Sequence, residues 1–257
     1  MRLAWLRRLD DLDLGHRILG VSTIAFGIAC FLQRDFTVFW NPAPDWLPAR
    51  STLAFVSAGL LVLSGGGLLV RRARRAAALV QVGLFVAYAA FWLVQWLGAP
   101  GKLGPWLGMA EQLGIALAAA TLVARLRDEG VPPGRLGTTL VRIAYGVFSI
   151  VFGLSHVVSL KGTAGMVPAW IPGDATFWAA ATGIAHMAVG FALIAARLAV
   201  PASRMAGLMY LGFAALVWAP GAATHPDQWL RWAGLAISLV LMGAVWQVGD
   251  YLAARRR

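Results

Sequence analysis

The chain is 257 residues long, 60% apolar and only 13% charged, with a formal net charge of +11. An ordinary soluble domain carries about 25% charged residues, so a water-soluble globule is excluded. A single cysteine, Cys30, excludes an intrachain disulfide and a CxxC redox pair.

In chain order, residues 1–17 alternate charge and apolarity. They lack the long apolar run and small-residue cleavage site of a signal peptide, and residues 3–14 predict a short interfacial amphipathic helix. Eight apolar stretches follow, at about 18–33, 52–70, 76–97, 107–124, 140–159, 177–196, 205–220 and 230–249. Each approaches the ~20 residues that cross a ~30 Å hydrocarbon layer. The seventh is short, and Pro220 is expected to end it. Outer loops at 34–51 and about 160–176 each carry an apolar tripeptide, Trp46-Leu47-Pro48 and Trp170-Ile171-Pro172, which places Trp46 and Trp170 at headgroup level. Residues 126–139, with their charges and Pro132-Pro133-Gly134, read as a linker. The expected organisation is a four-helix unit over 18–125, the linker, a second unit over 140–250, and a basic tail at 251–257.

The basic residues are unevenly shared. Seventeen of the 22 lysines and arginines fall on the side that holds both termini, and five on the other. The positive-inside rule then makes that side cytoplasmic. The partner implied by this distribution is the lipid bilayer, with no role for nucleic acid.

The chain repeats itself. Gly20, Val21, Ile24, Phe26 and Gly27 recur 126 residues later as Gly146, Val147, Ile150, Phe152 and Gly153. The spacing then reads as 124: Trp46 meets Trp170, Thr52 meets Thr176, Gly59 meets Gly183 and Gly66 meets Gly190. Each half has an even number of spans, so the repeat is parallel, unlike the inverted repeats of many transporters. Four glycine pairs spaced by seven, Gly20/Gly27, Gly59/Gly66, Gly146/Gly153 and Gly183/Gly190, each share a helix face. They predict close packing of spans one, two, five and six.

Ionisable groups within a bilayer are costly and usually functional. His186 sits about 13 Å deep in span six, on the glycine face, and His156 near the outer end of span five. Glu111 lies about one turn inside span four. His186 aligns with Val62 at the 124 spacing, His156 with Cys30 at the 126 spacing, and Glu111 is expected opposite Gly234, so a site belongs in the second half. His225, Asp227 and Asp174 lie in outer loops, and Gln81, Gln95, Gln112 and Gln247 add uncharged polarity. Three readings of the histidines stand open. They hydrogen-bond across helices as structural groups. They contact a quinone or other lipophile, as a neutral imidazole can, with Trp178, Trp218, Trp229 and Phe177 as walls. Or His156, His186 and His225 ligate a metal with Glu111 or Asp174.

The stretches Phe152-Gly153-Leu154-Ser155-His156, Val167-Pro168-Ala169-Trp170-Ile171-Pro172-Gly173, Phe177-Trp178 and Thr182-Gly183-Ile184-Ala185-His186-Met187-Ala188-Val189-Gly190 resemble the DoxX family of small four-helix bacterial membrane proteins. The first half resembles it more weakly, through Gly59-Leu60-Leu61 to Gly67-Leu68-Leu69. The resemblance implies a tandem duplication of a four-helix unit, an association with redox partner proteins, and quinone contact. The expected fold is therefore all-α, a polytopic membrane protein with eight transmembrane helices as two tandem four-helix bundles. The expected role is a quinone- or lipophile-binding accessory subunit of a membrane redox system. Its ligand contacts would be His186, His156, Glu111, Trp178 and Trp218. The alternative is a non-catalytic channel, carrier or scaffold.

Overall fold

The computed structural model describes residues 13–37, 39–127 and 131–255. The amphipathic helix expected at 3–14 falls almost wholly outside these residues. Among the described residues the chain is helical with no strand. Eight helical spans are long and apolar enough to cross a membrane, as in a multi-pass membrane protein. They are α1 (Gly15–Gln33), α2 (Arg50–Leu69), α3 (Arg74–Gly98), α4 (Leu103–Arg127), α5 (Arg135–Val158), α7 (Ala175–Ile194), a composite seventh span and α10 (Trp229–Ala254). A short α6 (Leu160–Ala164) follows α5. The composite span is α8 (Ala199–Gly212), a π-helical segment (Phe213–Trp218) and α9 (Ala219–Thr224).

Pro220 therefore does not end the seventh span. A proline ring collides with the carbonyl four residues back in a regular helix. The wider π turn immediately before it gives that carbonyl room, and the helix runs on to Thr224. The linker is also shorter than 126–139, because α4 continues to Arg127 and α5 starts at Arg135.

The two halves are built alike. α1 packs on α2 as α5 packs on α7, and α3 packs on α4 as α8 packs on α10. The fourth span of each half, α4 and α10, meets the other at the centre. Glycines set the closest contacts. A Cβ on Gly20 would lie 2.8 Å from the Gly65 carbonyl oxygen, and one on Gly65 would lie 2.7 Å from that of Gly20. In the second half the same reciprocal clash joins Gly146 and Gly190, at 2.8 and 2.6 Å. Small residues let the backbones touch where lipid supplies no hydrophobic drive for helix association.

These contacts correct the register. The partner of Gly20 is Gly65, and a Cβ on Gly66 would meet nothing within 4 Å. Gly59 faces only the Phe31 ring, at 3.6 Å. The second spans are therefore related by 125 residues, so His186 aligns with Leu61 rather than Val62. In the last spans the offset is 126. Gly108 lies under the Trp92 indole as Gly234 lies under that of Trp218, so Gly234 corresponds to Gly108, and Ile237 to Glu111.

The halves do not stand as two separate bundles. α10 packs along α1 as extensively as any neighbouring pair in the chain, whereas the counterpart contact of α4 with α5 is slight. At the basic end the first contact is pinned by polar bonds. Asp250 accepts the Gly15 N–H at 2.8 Å and pairs with Arg204 at 2.6 Å. Arg204 also donates to the Trp246 carbonyl at 2.7 Å. Nearby, Asp13 pairs with Arg125 at 2.6 Å. Burial pushes the Asp13 carboxyl up, but the hydrogen bond and charge of Arg125 outweigh it and hold it below the usual carboxylate range.

The outer loops also differ. In the first, Arg50 ties Asp35 at 2.8 Å and the Ala43 carbonyl at 2.7 Å, and Phe36, Trp40 and Asn41 are buried. In the second, Met166 and Trp170 stay exposed, at 51% and 57%. Trp46 is exposed too, as the interfacial placement of the two tryptophans requires.

Candidate functional site

The slight α4–α5 contact leaves a cavity of about 760 Å³ between α4, α5, α7, the π segment and α10. Its lining is mostly apolar, with a few converging polar groups. A volume of this size falls within the ~300–1,000 Å³ typical of small-molecule sites.

Both histidines reach it. A Cβ on Gly183 would lie 2.8 Å from the His156 Cβ, so the glycine contact draws α5 and α7 together beside the imidazoles. Their ring centroids are 5.3 Å apart. His186 is eleven residues into α7 and 1% exposed. Its ring stacks on Phe152 at 5.4 Å and lies 5.5 Å from the Tyr210 ring and 6.1 Å from that of Phe213. Its Nε2 is buried without a partner.

His156 is nearer the outer end. Its Nδ1 lies 3.1 Å from Thr182 Oγ1, and that hydroxyl sits 2.9 Å from the Trp178 carbonyl oxygen. A hydroxyl has one proton. If it goes to the carbonyl, Nδ1 of His156 donates to Thr182 and Nε2 is left as an acceptor; this tautomer follows from the bonding network.

Glu111 also lines the cavity. It is eight residues into α4, two turns rather than one, because α4 begins earlier than its apolar core. It is 8% exposed and accepts from Gln112 at 3.3 Å. Trp178 lines the outer wall, its indole N–H donating to the Pro172 carbonyl at 2.8 Å. Asp174 caps α7 by accepting the Phe177 N–H at 2.9 Å; that bond, first among its causes, holds the carboxyl below its usual range. Trp218 forms the far wall and lies against Trp40, at 6.4 Å between ring centroids.

Other expected members stand apart. Trp229 does not line the cavity; its indole N–H bonds the Ala29 carbonyl and ties α10 to α1. Phe177 is 61% exposed and faces away. His225 is exposed after α9, its Nδ1 3.0 Å from Thr224 Oγ1. Among the described residues no three histidine, cysteine or acidic side chains gather as metal ligands. The structure thus unites His156 with His186 and leaves His225 out.

Four participants escape a reading by residue type: Tyr210, Phe152, Trp40 and the π segment. The π segment does leave a trace in the repeat. Phe85 and Ala89 correspond to Tyr210 and Ala214 at 125 residues, all four buried, whereas Trp92 corresponds to Trp218 at 126. One residue is inserted between Ala214 and Trp218, and a single inserted residue is what a π turn accommodates. Comparison of the chain with protein-family models, with curated proteins and with solved structures finds no match.

Proposed function

We propose that the protein binds a quinone or similar lipophile in this cavity, as a DoxX-like accessory subunit of a membrane redox system whose basic end faces the cytoplasm. The observation that carries the reading is His186, which lines an apolar cavity and whose Nε2 is buried without a partner. An orphaned buried nitrogen costs about 1–3 kcal/mol, and a ligand carbonyl or hydroxyl would supply its missing partner. A neutral imidazole can donate to a quinone carbonyl and exchange a proton as the ring is reduced. His156 Nε2 would be the second contact, and Glu111 a proton relay at the cavity wall. A carrier reading draws less support, because among the described residues no arginine of the basic end lines the cavity.

The test is native mass spectrometry of the protein released from lipid nanodiscs, followed by extraction of whatever lipophile it retains. A stoichiometric quinone or other lipophile is expected. His186→Gln should weaken its binding about tenfold, the equivalent of one neutral hydrogen bond, while circular dichroism stays unchanged. Equal binding by the wild type and a folded His186→Gln variant would sink the assignment of His186.

A further inference from the structure

The first half contains its own filled version of the cavity. Trp40 packs on Phe26 and Trp229, with ring centroids 6.4 Å apart in each case, and its carbonyl accepts the Trp92 indole N–H at 3.2 Å. Phe36 packs edge-on to Phe91 at 5.4 Å. The Asn41 amide faces the Cys30 thiol and the Tyr88 hydroxyl. Under the repeat register these six contacts correspond to Phe152, Leu103, Trp218, Val217, His156 and Phe213. Every one of the six lines the open cavity. In the first half the outer loop folds inward into that space, clamped by Arg50. In the second half the corresponding loop lines the rim of the cavity through Met166, Val167 and Trp170 and leaves the space open.

We infer that Phe36, Trp40 and Asn41 are an intramolecular stand-in for the ligand of the open cavity, and that this ligand carries a flat aromatic ring with a hydrogen-bond-donating polar edge, such as a hydroxyl, for the His156 Nε2 to accept. The stand-in presents the Trp40 ring to Phe26, the Phe36 ring to Phe91 and the N–H side of the Asn41 carboxamide toward Cys30, the amide oxygen already accepting the Thr37 N–H at 2.7 Å. Transferred to the second half, the ring lies against Phe152 under Trp218, and the polar edge meets His156. Edge-to-face and offset aromatic contacts favour a ring over an alkyl chain of equal bulk, and the imidazole, unlike the thiol it replaces, is a strong hydrogen-bonding group. The inference rests on the proposal that the cavity binds a lipophile.

The experiment measures equilibrium binding of three probes of nearly equal heavy-atom count to the full chain in nanodiscs, with empty nanodiscs subtracted. The probes are 1-(2-naphthyl)ethanol (ring and hydroxyl), 2-ethylnaphthalene (ring alone) and 2-dodecanol (hydroxyl alone). Thr182→Trp, which fills the cavity, and Met166→Trp, which narrows its mouth, are independent blocking variants. We expect 1-(2-naphthyl)ethanol to bind about tenfold tighter than 2-dodecanol and about threefold tighter than 2-ethylnaphthalene, and to lose this binding in whichever blocking variant is folded. If 2-dodecanol binds as tightly and is blocked in the same way, the aromatic assignment is overturned while the lipophile pocket stands. If no probe shows binding that the blocking variants remove, the pocket reading itself falls and takes this inference with it.

Discussion

Thr121 and Gln247 lie 126 residues apart in the chain, one full repeat, yet Gln247 Nε2 donates to Thr121 Oγ1 at 3.4 Å. Equivalent positions of two repeats touch only near the axis that relates them, so α4 and α10 mark the centre of the molecule. The bond is long, the Thr121 hydroxyl already donates to the Ala118 carbonyl at 2.7 Å, and Gln247 Oε1 is buried without a partner. Gln247→Met keeps the shape and removes the orphaned oxygen. It should leave stability unchanged or raise it by about 1 kcal/mol, read as the midpoint of thermal unfolding in detergent.

Adjacent glycines should respond with opposite signs. Gly65→Ala places a methyl 2.7 Å from the Gly20 carbonyl oxygen and forces α1 and α2 apart. Overpacking of this kind costs about 1–3 kcal/mol. Gly66→Ala meets open space and should stabilise the helix by about 0.5–1 kcal/mol. Reversed signs in the same unfolding assay would restore the 124-residue register and discard the one argued from the glycine contacts.

The buried Arg204–Asp250 pair should be costly to break and cheaper to replace whole. Asp250→Leu leaves the Arg204 charge and the Gly15 N–H without their acceptor, a loss of about 3–5 kcal/mol. Adding Arg204→Met should recover a large part of it, since an apolar pair of similar bulk pays no desolvation for charge. A double-mutant cycle on unfolding free energies measures the recovery.

Asp13 makes the basic end sensitive to acid. Its folded carboxyl is held below its unfolded value by Arg125, with His16, Arg74 and Arg125 all facing it. A depressed carboxyl contributes stability that is complete above the unfolded value of about 3.9 and lost as pH falls through the lower folded value. Asp13→Asn keeps the positive φ of 47° that asparagine tolerates. The variant should therefore be less stable than the wild type at neutral pH and match it in strong acid, as followed by tryptophan fluorescence across an acid titration.

The spans were legible because hydrocarbon thickness dictates both the length and the composition of a crossing helix. His156, His186 and Glu111 were legible because a polar group costs so much there that few are present. Other features depended on neighbours that a linear reading does not supply. Gly65, Gly66 and Gly67 are consecutive, and only the contact with Gly20 tells which one faces α1. Trp229 and Trp178 have the same side chain at comparable depth, but one ties α10 to α1 and the other lines the cavity. Nothing in the sequence singles out Trp40, and its inward turn rests on Arg50 holding the loop closed.

The π segment has a consequence of its own. In a regular helix one surplus residue would turn everything that follows it by about 100°. The π turn absorbs that residue, so Trp218 lies over Gly234 as Trp92 lies over Gly108. Excising Ala215 would restore the seven-residue step from Phe85 to Trp92 and return the span to a regular helix with its tryptophan still over Gly234. The far wall of the cavity thus withstands a change of length at this one place, whereas a deletion elsewhere along the span would swing it out of line.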